Sequence, residues 1–433
     1  MSSTTDPRRT RIIRHVLTGL TVAVGVGGLG WSARQSLRSS SSLDEAIGLA
    51  SAGRLVEAEA KVRARLATDP EAAAAHLLLA QIILKRPDQP SPPSERCPSP
   101  FGQEALDHLD RVHPQNPSMA VIFHLCRGDA LKRLMRFDAA EADWLEALRI
   151  DMTAPEVGWN LLNLYYLQGR EEESRRLALR LYRVEPDPHD RATLLVELLR
   201  RDVRPPAPGS IERLLEPVVR HNPGDLHTAV AMGLALTRAN KVETGIDQLR
   251  SVVRTHPDRV EAWDALLTGL DESGQVDIME EELERLPAGL SEAPRLLKHR
   301  ARIAQDGNRW SEAVGLFRRA RSDEPSNRVV EFRLSRALRH AGETAEANQI
   351  EQRVRRREIA LQELRPLFDK ATATPDLGTR PYPELYHQIA EARERMQLPE
   401  EARAWHRLVL GNDPKNEVSL AALARLGNES DSL

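Results

Sequence analysis

Small and apolar residues recur along most of the chain with the spacing of helices. In residues 307–325, GNRWSEAVGLFRRARSDEP, Ala313, Phe317 and Ala320 are separated by four and three positions, and Pro325 follows five positions later. This spacing places the three side chains on one face of a helix. Because proline cannot continue a helix, it marks the end of this one. From about residue 43 onward, no alternation of apolar and polar residues predicts a β-strand.

The same steps of four, three and five residues recur through the chain, which indicates an internal repeat. The sets are Ala58, Val62, Arg65, Pro70; Ala105, Leu109, Val112, Pro117; Ala140, Trp144, Ala147, Met152; Ser174, Ala178, Leu181, Pro186; Ile211, Leu215, Val218, Pro223; Gly245, Leu249, Val252, Pro257; and Ala402, His406, Val409, Pro414. Six residues after many of these prolines comes the first apolar core position of another helix; for example, Trp263 follows Pro257 at this distance. Each repeat is therefore predicted to be a helical hairpin.

These two half-patterns resemble the tetratricopeptide repeat family, whose motif has Trp, Leu, Gly and Tyr on the first helix and Ala, Phe, Ala and Pro on the second. The first half is clearest in VEAWDALLTGLDESGQ (260–275) and the second in residues 307–325. The resemblance covers residues 43–426. It implies an all-α fold, a right-handed α-solenoid of about ten hairpins, in which stacking buries the face that one hairpin alone leaves exposed.

The N-terminal region has the pattern of a membrane anchor. Residues 16–33 carry no charge and follow a basic flank, which consists of Arg8, Arg9, Arg11 and Arg14. We predict a cytoplasmic basic N-terminus at 1–11, an uncleaved transmembrane anchor at 12–33 and a polar linker at 34–42. The repeat domain would then lie outside the cytoplasmic membrane of a bacterium. A cleavable signal peptide is the alternative.

Two motifs within this anchor are weaker. GVGGLG (25–30) matches the dinucleotide-binding fingerprint, but a polar segment follows where a second strand is required, so no such site is predicted. Gly19, Ala23 and Gly27 are spaced by four and form a small-residue face that could join two anchors in a homodimer. The alternative is that glycine is simply common in membrane helices.

Several segments depart from the repeat. Proline-rich insertions are predicted at 86–100 and 203–209, and a disordered tail at 427–433. Residues 344–370 predict a helix too long for one repeat, interpreted as projecting from the stack, with Arg355–Arg357 on a solvated face. Cys97 lies in the first insertion and Cys126 at an apolar core position. A disulfide between the two is an open alternative if the domain is extracytoplasmic.

Composition and the absence of known motifs argue against several classes of function. The net charge of −3 argues against a general nucleic-acid partner. No CxxC, HExxH, GxSxG or GxxxxGK[ST] motif occurs, and the histidines are scattered. We therefore predict no metal, no cofactor and no enzymatic activity.

The resemblance implies that first helices line a concave face that binds peptides. Inward-facing positions assigned in this way give a peptide-binding set of Arg295, Lys298, Arg302, Phe332, Arg336, Arg339, Trp159, Asn163 and Tyr166. The basic members suit an acidic protein or peptide partner. The alternative is that these arginines are ordinary surface charge, paired with the neighbouring Asp264 and Asp271.

We expect a membrane-anchored scaffold for protein–protein interaction. An accessory subunit of an enzyme or of an envelope or secretion complex, and a self-associating structural membrane protein, are the alternatives.

Overall fold

The computed structural model describes residues 41–88, 97–324, 327–374, 376–380 and 382–427. Within these ranges the chain forms 21 α-helices, and an isolated bridge between Leu377 and Arg380 is the only β-structure. The predicted all-helical fold is therefore confirmed for the described residues.

The helices follow one another as ten hairpins and a final single helix, in agreement with the predicted number. Their bounds are α1 Ser41–Ser51, α2 Leu55–Thr68, α3 Ala73–Leu84, α4 Pro100–Leu109, α5 Pro117–Arg133, α6 Phe137–Ile150, α7 Pro155–Leu167, α8 Glu171–Val184, α9 Pro188–Val203, α10 Pro208–His221, α11 Leu226–Arg238, α12 Val242–Thr255, α13 Val260–Glu272, α14 Val276–Glu284, α15 Leu297–Asp306, α16 Trp310–Asp323, α17 Arg328–His340, α18 Thr344–Thr372, α19 Pro383–Arg395, α20 Pro399–Asn412 and α21 Glu417–Leu426. Two 3₁₀ turns, Ala288–Leu290 and Pro294–Leu296, precede α15.

In eight hairpins, the connection between the two helices contains one residue with a positive φ, in the left-handed region. These residues are Gly53, Met135, Gly169, Asn240, Gly274, Asn308, Gly342 and Gln397. A left-handed residue ends the first helix of a hairpin and redirects the chain into the second. The described residues of the other two hairpins, α3–α4 and α9–α10, contain no such residue, and these are the hairpins whose connections hold the proline-rich insertions.

The repeat positions form the core, as the sequence predicts. Buried members are Ala58, Val62, Ala105, Leu109, Val112, Ala140, Trp144, Ala147, Ser174, Ala178, Leu181, Ile211, Leu215, Val218, Leu249, Val252, Ala313, Phe317, Ala320, Ala402, His406 and Val409. The small residue lets the two helices of a hairpin approach closely, and the large one fills the space beside the crossing. The first helices contribute in the same way, since Trp263 is buried on α13.

The chain divides into two compact units. Unit 1 is Met1–Tyr165 with Arg220–Asn222, and unit 2 is Tyr166–Val219 with Pro223–Leu433. In unit 1 each helix from α1 to α6 packs on the next, around a core centred on α3. In unit 2 the helices from α11 to α20 also pack in succession; α9 additionally contacts α18 and α20, and α8 contacts α20.

The long helix is present, but its interpretation as a projection is wrong. α18 runs for 29 residues, and its second half packs against α9 and α19. Its buried residues there include Leu364 and Phe368. Arg357, predicted to be solvated, is 7% exposed and pairs with the buried Glu331 at 3.1 Å, whereas Arg355 and Arg356 are exposed as expected. Periodicity alone did not reveal that α9 covers this part of the helix.

The N-terminal predictions fall outside the described residues, including the anchor at 12–33 and the face of Gly19, Ala23 and Gly27. Among the helices that the structure does describe, none combines the length and the apolar character needed to cross a bilayer. The two cysteines are not joined by a disulfide, since Cys97 is exposed and Cys126 lies in the core.

Candidate protein-binding surface

A buried carboxylate connects the first helices of two neighbouring hairpins. Asp264 of α13 is 7% exposed. Arg295 Nε donates to its Oδ2 at 2.8 Å, and His299 Nε2 donates to its Oδ1 at 2.8 Å. Lys298 Nζ lies 3.0 Å from Asp264 Oδ1 and 2.8 Å from Glu324 Oε1. We call these five residues the Asp264 cluster. Nitrogen atoms of three side chains of the same protein therefore surround this carboxylate.

Burial alone would raise the pKa of Asp264, because its charged form loses hydration. The hydrogen bond from His299 and the charges of Lys298 and Arg295 outweigh burial, so the pKa of Asp264 lies well below its ordinary value. Burial likewise acts to lower the pKa of Lys298, but the carboxylates of Asp264 and Glu324 raise it above its ordinary value. Both groups are therefore fully charged at neutral pH and held to each other.

A second carboxylate extends this arrangement by one hairpin. Asp271, about two turns beyond Asp264 on α13, accepts hydrogen bonds from Nη1 and Nη2 of Arg333 on α17, with Nη2 at 2.8 Å from Oδ1. Arg302 Nε of α15 lies 3.3 Å from the same oxygen, and its Nη1 lies 3.1 Å from Asp306. Asp271 thus ties together α13, α15 and α17. Bidentate pairs of this kind fix orientation as well as charge.

These contacts change the picture of the predicted cationic groove. Arg295, Lys298 and Arg302 are all engaged by carboxylates of their own chain. Four cations (these three and Arg333) face four carboxylates, namely Asp264, Asp271, Asp306 and Glu324. The sequence had left this pairing with Asp264 and Asp271 open as an alternative, and the structure shows the contacts. A partner's carboxylate would have to compete with them.

The next first helix presents a different surface. On α17, Phe332 is 61% exposed and Val329 is 55% exposed. Arg328 and Arg336 flank Phe332 at four residues on either side, which places the three on one helical face. Both arginines are exposed, and neither forms an ion pair with any residue that the structure describes. We call Arg328, Val329, Phe332 and Arg336 the α17 strip.

Arg339 lies at the edge of this strip and is already paired. Its Nη2 donates to Glu351 of α18 at 2.5 Å and to Asn348 at 3.4 Å. Among the predicted site residues of α17, Phe332 and Arg336 therefore remain available, and Arg339 is held by its own hairpin.

The predicted residues of α7 do not share one environment. Trp159 is half-buried and Asn163 is exposed in unit 1. Tyr166, in unit 2, is covered by Arg200, whose guanidinium carbon lies 3.9 Å from the ring centroid. Such cation–π packing uses the face of the ring that a ligand would need. Asn163 is the member of this set with the most open side chain.

A hydroxyl–imidazole–carboxylate chain occurs where α19, α20 and α21 meet. Ser419 Oγ lies 2.8 Å from His387 Nε2 and 3.3 Å from His406 Nδ1, and His406 Nε2 lies 3.4 Å from Glu394 Oε1. A catalytic hydroxyl must be reachable by substrate. Ser419 and His406 are almost completely buried. These bonds therefore attach α21 to the preceding hairpin.

Comparisons with known proteins agree with the repeat pattern. Residues 300–360 match the model of the tetratricopeptide repeat family, and this stretch includes Ala313, Phe317 and Ala320. This match supports the predicted repeat family for residues 300–360. No curated protein matches the chain.

Solved structures with similar arrangements have low identity. MamA residues 41–end from Desulfovibrio magneticus RS-1 is 18% identical, with 38% of this chain and 93% of that chain covered and a TM-score of 0.28. The Cut9 and Hcn1 hetero-tetramer of the APC/C is 15% identical over 89% of each chain, with a TM-score of 0.28. Yeast Tom70 is 10% identical over 89% of this chain and 87% of that chain, with a TM-score of 0.30. At such scores the likeness carries no inference about function.

Proposed function

We propose that the chain is a non-enzymatic scaffold that binds a protein partner, and that the α17 strip makes the central contact. The observation that carries this proposal is Phe332, a large apolar side chain held open to solvent between two unpaired arginines. Exposed aromatic and arginine side chains are the residue types that most often dominate binding energy at protein interfaces.

The chemistry of the strip favours an acidic segment with an apolar side chain. Phe332 and Val329 offer apolar area, and Arg328 and Arg336 offer guanidinium groups that pair with carboxylates in bidentate geometry. Asp271 supports the strip indirectly, because it holds α17 by way of Arg333 and α15 by way of Arg302. Reversal of Arg295, Lys298 and Arg302 would therefore disturb folding as well as binding, and it is a poor test of the site.

Variants of the strip test the proposal without breaking the network. Partners are captured from native membranes on the full-length chain and quantified by mass spectrometry. Phe332→Ala and Arg336→Glu should each reduce capture of the same protein at least about tenfold, as expected for central interface residues. Ile359→Ala, which truncates a 45% exposed side chain on α18, is the matched control and should leave capture unchanged. Full capture by both strip variants would exclude this surface.

We also propose that residues 12–33 anchor the scaffold in a bacterial cytoplasmic membrane, with the repeats on the outer side. The support is the uncharged segment with its basic N-terminal flank. Protease added to intact spheroplasts should then digest the repeats, and protection of the repeats would contradict this orientation.

Cross-linking is carried out separately on the full chain and on a chain that lacks residues 12–33. Comparison of the two products distinguishes self-association through Gly19, Ala23 and Gly27 from binding to other proteins. An enzyme among the captured proteins would favour the accessory-subunit alternative.

A further inference from the structure

Unit 2 contains a contact between segments that are far apart in sequence. α9 packs against α18 and α20, and α8 packs against α20, so helices early and late in this unit are in contact. Arg175 on α8 and Glu401 on α20, which form an ion pair across this contact, are 226 residues apart. We call the contact of α8 and α9 with α18–α20 the latch.

Four charges lie at the centre of the latch in alternating order, two of them buried and two partly buried. Arg175 donates to Asp202 Oδ1 at 2.6 Å and pairs with Glu401. Arg393 pairs with Asp202 and lies 3.1 Å from Glu401 Oε2 through its Nε. Arg393 is 0% exposed and Glu401 is 2% exposed. Each cation therefore touches both anions, and each anion touches both cations.

This arrangement holds only while all four charges are present. Burial would raise the pKa of Asp202, but Arg393 and Arg175 hold that pKa below its ordinary value. Mutual attraction offsets the lost hydration of the four groups, and removal of one partner leaves a buried charge without compensation. The latch is thus sensitive to the loss of a single charge.

Polar contacts continue around the four charges. Tyr182 donates from its hydroxyl to the Ala404 carbonyl at 2.9 Å, and Arg183 lies 3.2 Å from Glu400. At the outer edge Arg204 donates to Asp369 at 2.5 Å. The latch therefore also includes exposed ion pairs, which are weak and open easily in water.

The connection between α18 and α19 folds over the start of α9. His189 Nδ1 donates to the Leu377 carbonyl at 2.8 Å, and the Gly378 amide donates to the Tyr386 hydroxyl at 2.9 Å. Gly378 has φ +86°, and a Cβ there would lie 2.1 Å from the Pro188 carbonyl oxygen. This position accepts only glycine while the latch is closed.

Opening of the latch need not unfold either side. In a helical repeat array, stability comes from each hairpin and its neighbours, and contacts between distant repeats are additional. α8 keeps its contact with α9, α18 keeps those with α17 and α19, and α20 keeps those with α19 and α21. We propose that the latch is a conformational switch, in which the alternating charges of Arg175, Asp202, Arg393 and Glu401 hold unit 2 closed and the loss of one charge opens it. The switch does not depend on the identity of any partner.

Distances between nitroxide labels test this switch in the full chain. Labels go on Arg204→Cys and Asp369→Cys, an exposed pair across the latch, in a background with Cys97→Ser and Cys126→Ala. The control labels go on Arg238→Cys and Glu272→Cys, an exposed pair that joins the neighbouring first helices α11 and α13. Pulsed electron paramagnetic resonance should give one short distance for each pair in the otherwise unchanged chain.

Glu401→Gln should raise the population of long 204–369 distances at least about tenfold, because it removes a buried charge and leaves the buried Arg393 without one of its two anions. The 238–272 distance and the helical circular dichroism should stay unchanged. Glu282→Gln is the matched control, since Glu282 on α14 is 5% exposed and pairs with Arg250 of α12, outside the latch. Addition of Arg175→Gln to Glu401→Gln restores charge balance and should recover part of the short distance.

Gly378→Ala opens the latch without a change in charge, and Gly342→Ala, with the same φ of +86° and nothing within 4 Å of its Cβ, is its control. Gly378→Ala should lengthen only the 204–369 distance. If Glu401→Gln fails to fold, this pair of glycine variants decides the question. Short 204–369 distances in all folded variants, or lengthening of both labelled pairs with loss of helicity, would overturn the proposal.

Discussion

α15 and α17 are neighbouring first helices that both carry basic residues, yet they present different surfaces. On α15 and the turn before it, Arg295, Lys298 and Arg302 all contact carboxylates of α13. On α17, Arg336 is exposed beside Phe332, and it forms no ion pair within the described part of the chain. Asp264 and Asp271 lie on α13, one hairpin before α15, and their carboxylates pair with the cations of α15 and the turn before it. Arg336 on α17 therefore keeps a charge that can bind a partner.

Basic residues on a repeat therefore do not by themselves define a binding site. Whether a basic residue is open to a partner depends on whether the first helix of the preceding repeat places a carboxylate within ion-pair distance of it. In this chain Asp264 pairs with the cations of the next first helix, and Arg328 and Arg336, two hairpins after Asp264 on α17, are exposed. The following predictions test this division.

The largest effect is expected in the core between the two helices. Phe317→Ala on α16 should lower the free energy of unfolding by about 3–5 kcal/mol, because it leaves a cavity at a fully buried site. Phe332→Ala on α17 should change it by less than about 0.5 kcal/mol, since that ring is mostly exposed. Urea unfolding of both variants measures the difference. Equal losses would show that Phe332 belongs to the core.

Removal of the central carboxylate should be nearly as costly. Asp264→Ala leaves Arg295, Lys298 and His299 without their shared acceptor, and we expect a loss of about 3 kcal/mol, at the low end for buried pairs because Arg295 remains half exposed. Asp306→Ala removes an exposed carboxylate from Arg302 and should cost at most about 1 kcal/mol. A loss for Asp264→Ala no greater than that for Asp306→Ala would contradict the role of the cluster.

The contribution of Asp264 should also depend on pH. Its pKa is lower in the folded chain than in the unfolded chain, where it is about 3.9. The stabilisation is therefore complete above the unfolded pKa and is lost as the pH falls below it. The difference in unfolding free energy between the wild type and Asp264→Asn should be constant from pH 7 to about 5 and should shrink below about pH 4. A difference that grows on acidification would contradict the assignment.

The smallest effect is expected for single arginines. Arg336→Ala should leave stability within about 0.5 kcal/mol of the wild type, because its side chain is exposed on the α17 strip. Arg295→Ala removes one charge-assisted hydrogen bond to Asp264 and should cost about 1 kcal/mol. Thermal unfolding of both variants in one buffer measures the two losses, and a larger loss for Arg336→Ala than for Arg295→Ala would contradict the assignment of Arg336 to an open surface.

The sequence predicts those features that depend on local spacing. Ala313 and Phe317 are recognisable as core residues because helical periodicity and the repeat are both visible in one chain. Alignment of adjacent first helices predicts that Asp264 lies near Arg295. Side-chain positions are needed to decide whether the two residues pair or leave an open groove. The contacts of Arg393 are beyond such reasoning, since nothing in the local pattern of α19 indicates that α8 and α9 lie against it.

The latch also constrains the order in which the chain acquires its structure. A ribosome adds residues at about 5–20 per second, so Glu401 emerges about 10–45 s after Arg175, from which it is separated by 226 residues. During that interval the faces of α8 and α9 are complete but uncovered, with Arg175 and Asp202 open to water. Contacts of such high sequence separation form late and slowly. The growing chain is therefore expected to depend on chaperones at this stage, and a stalled chain ending before α19 should bind them more strongly than the finished protein does.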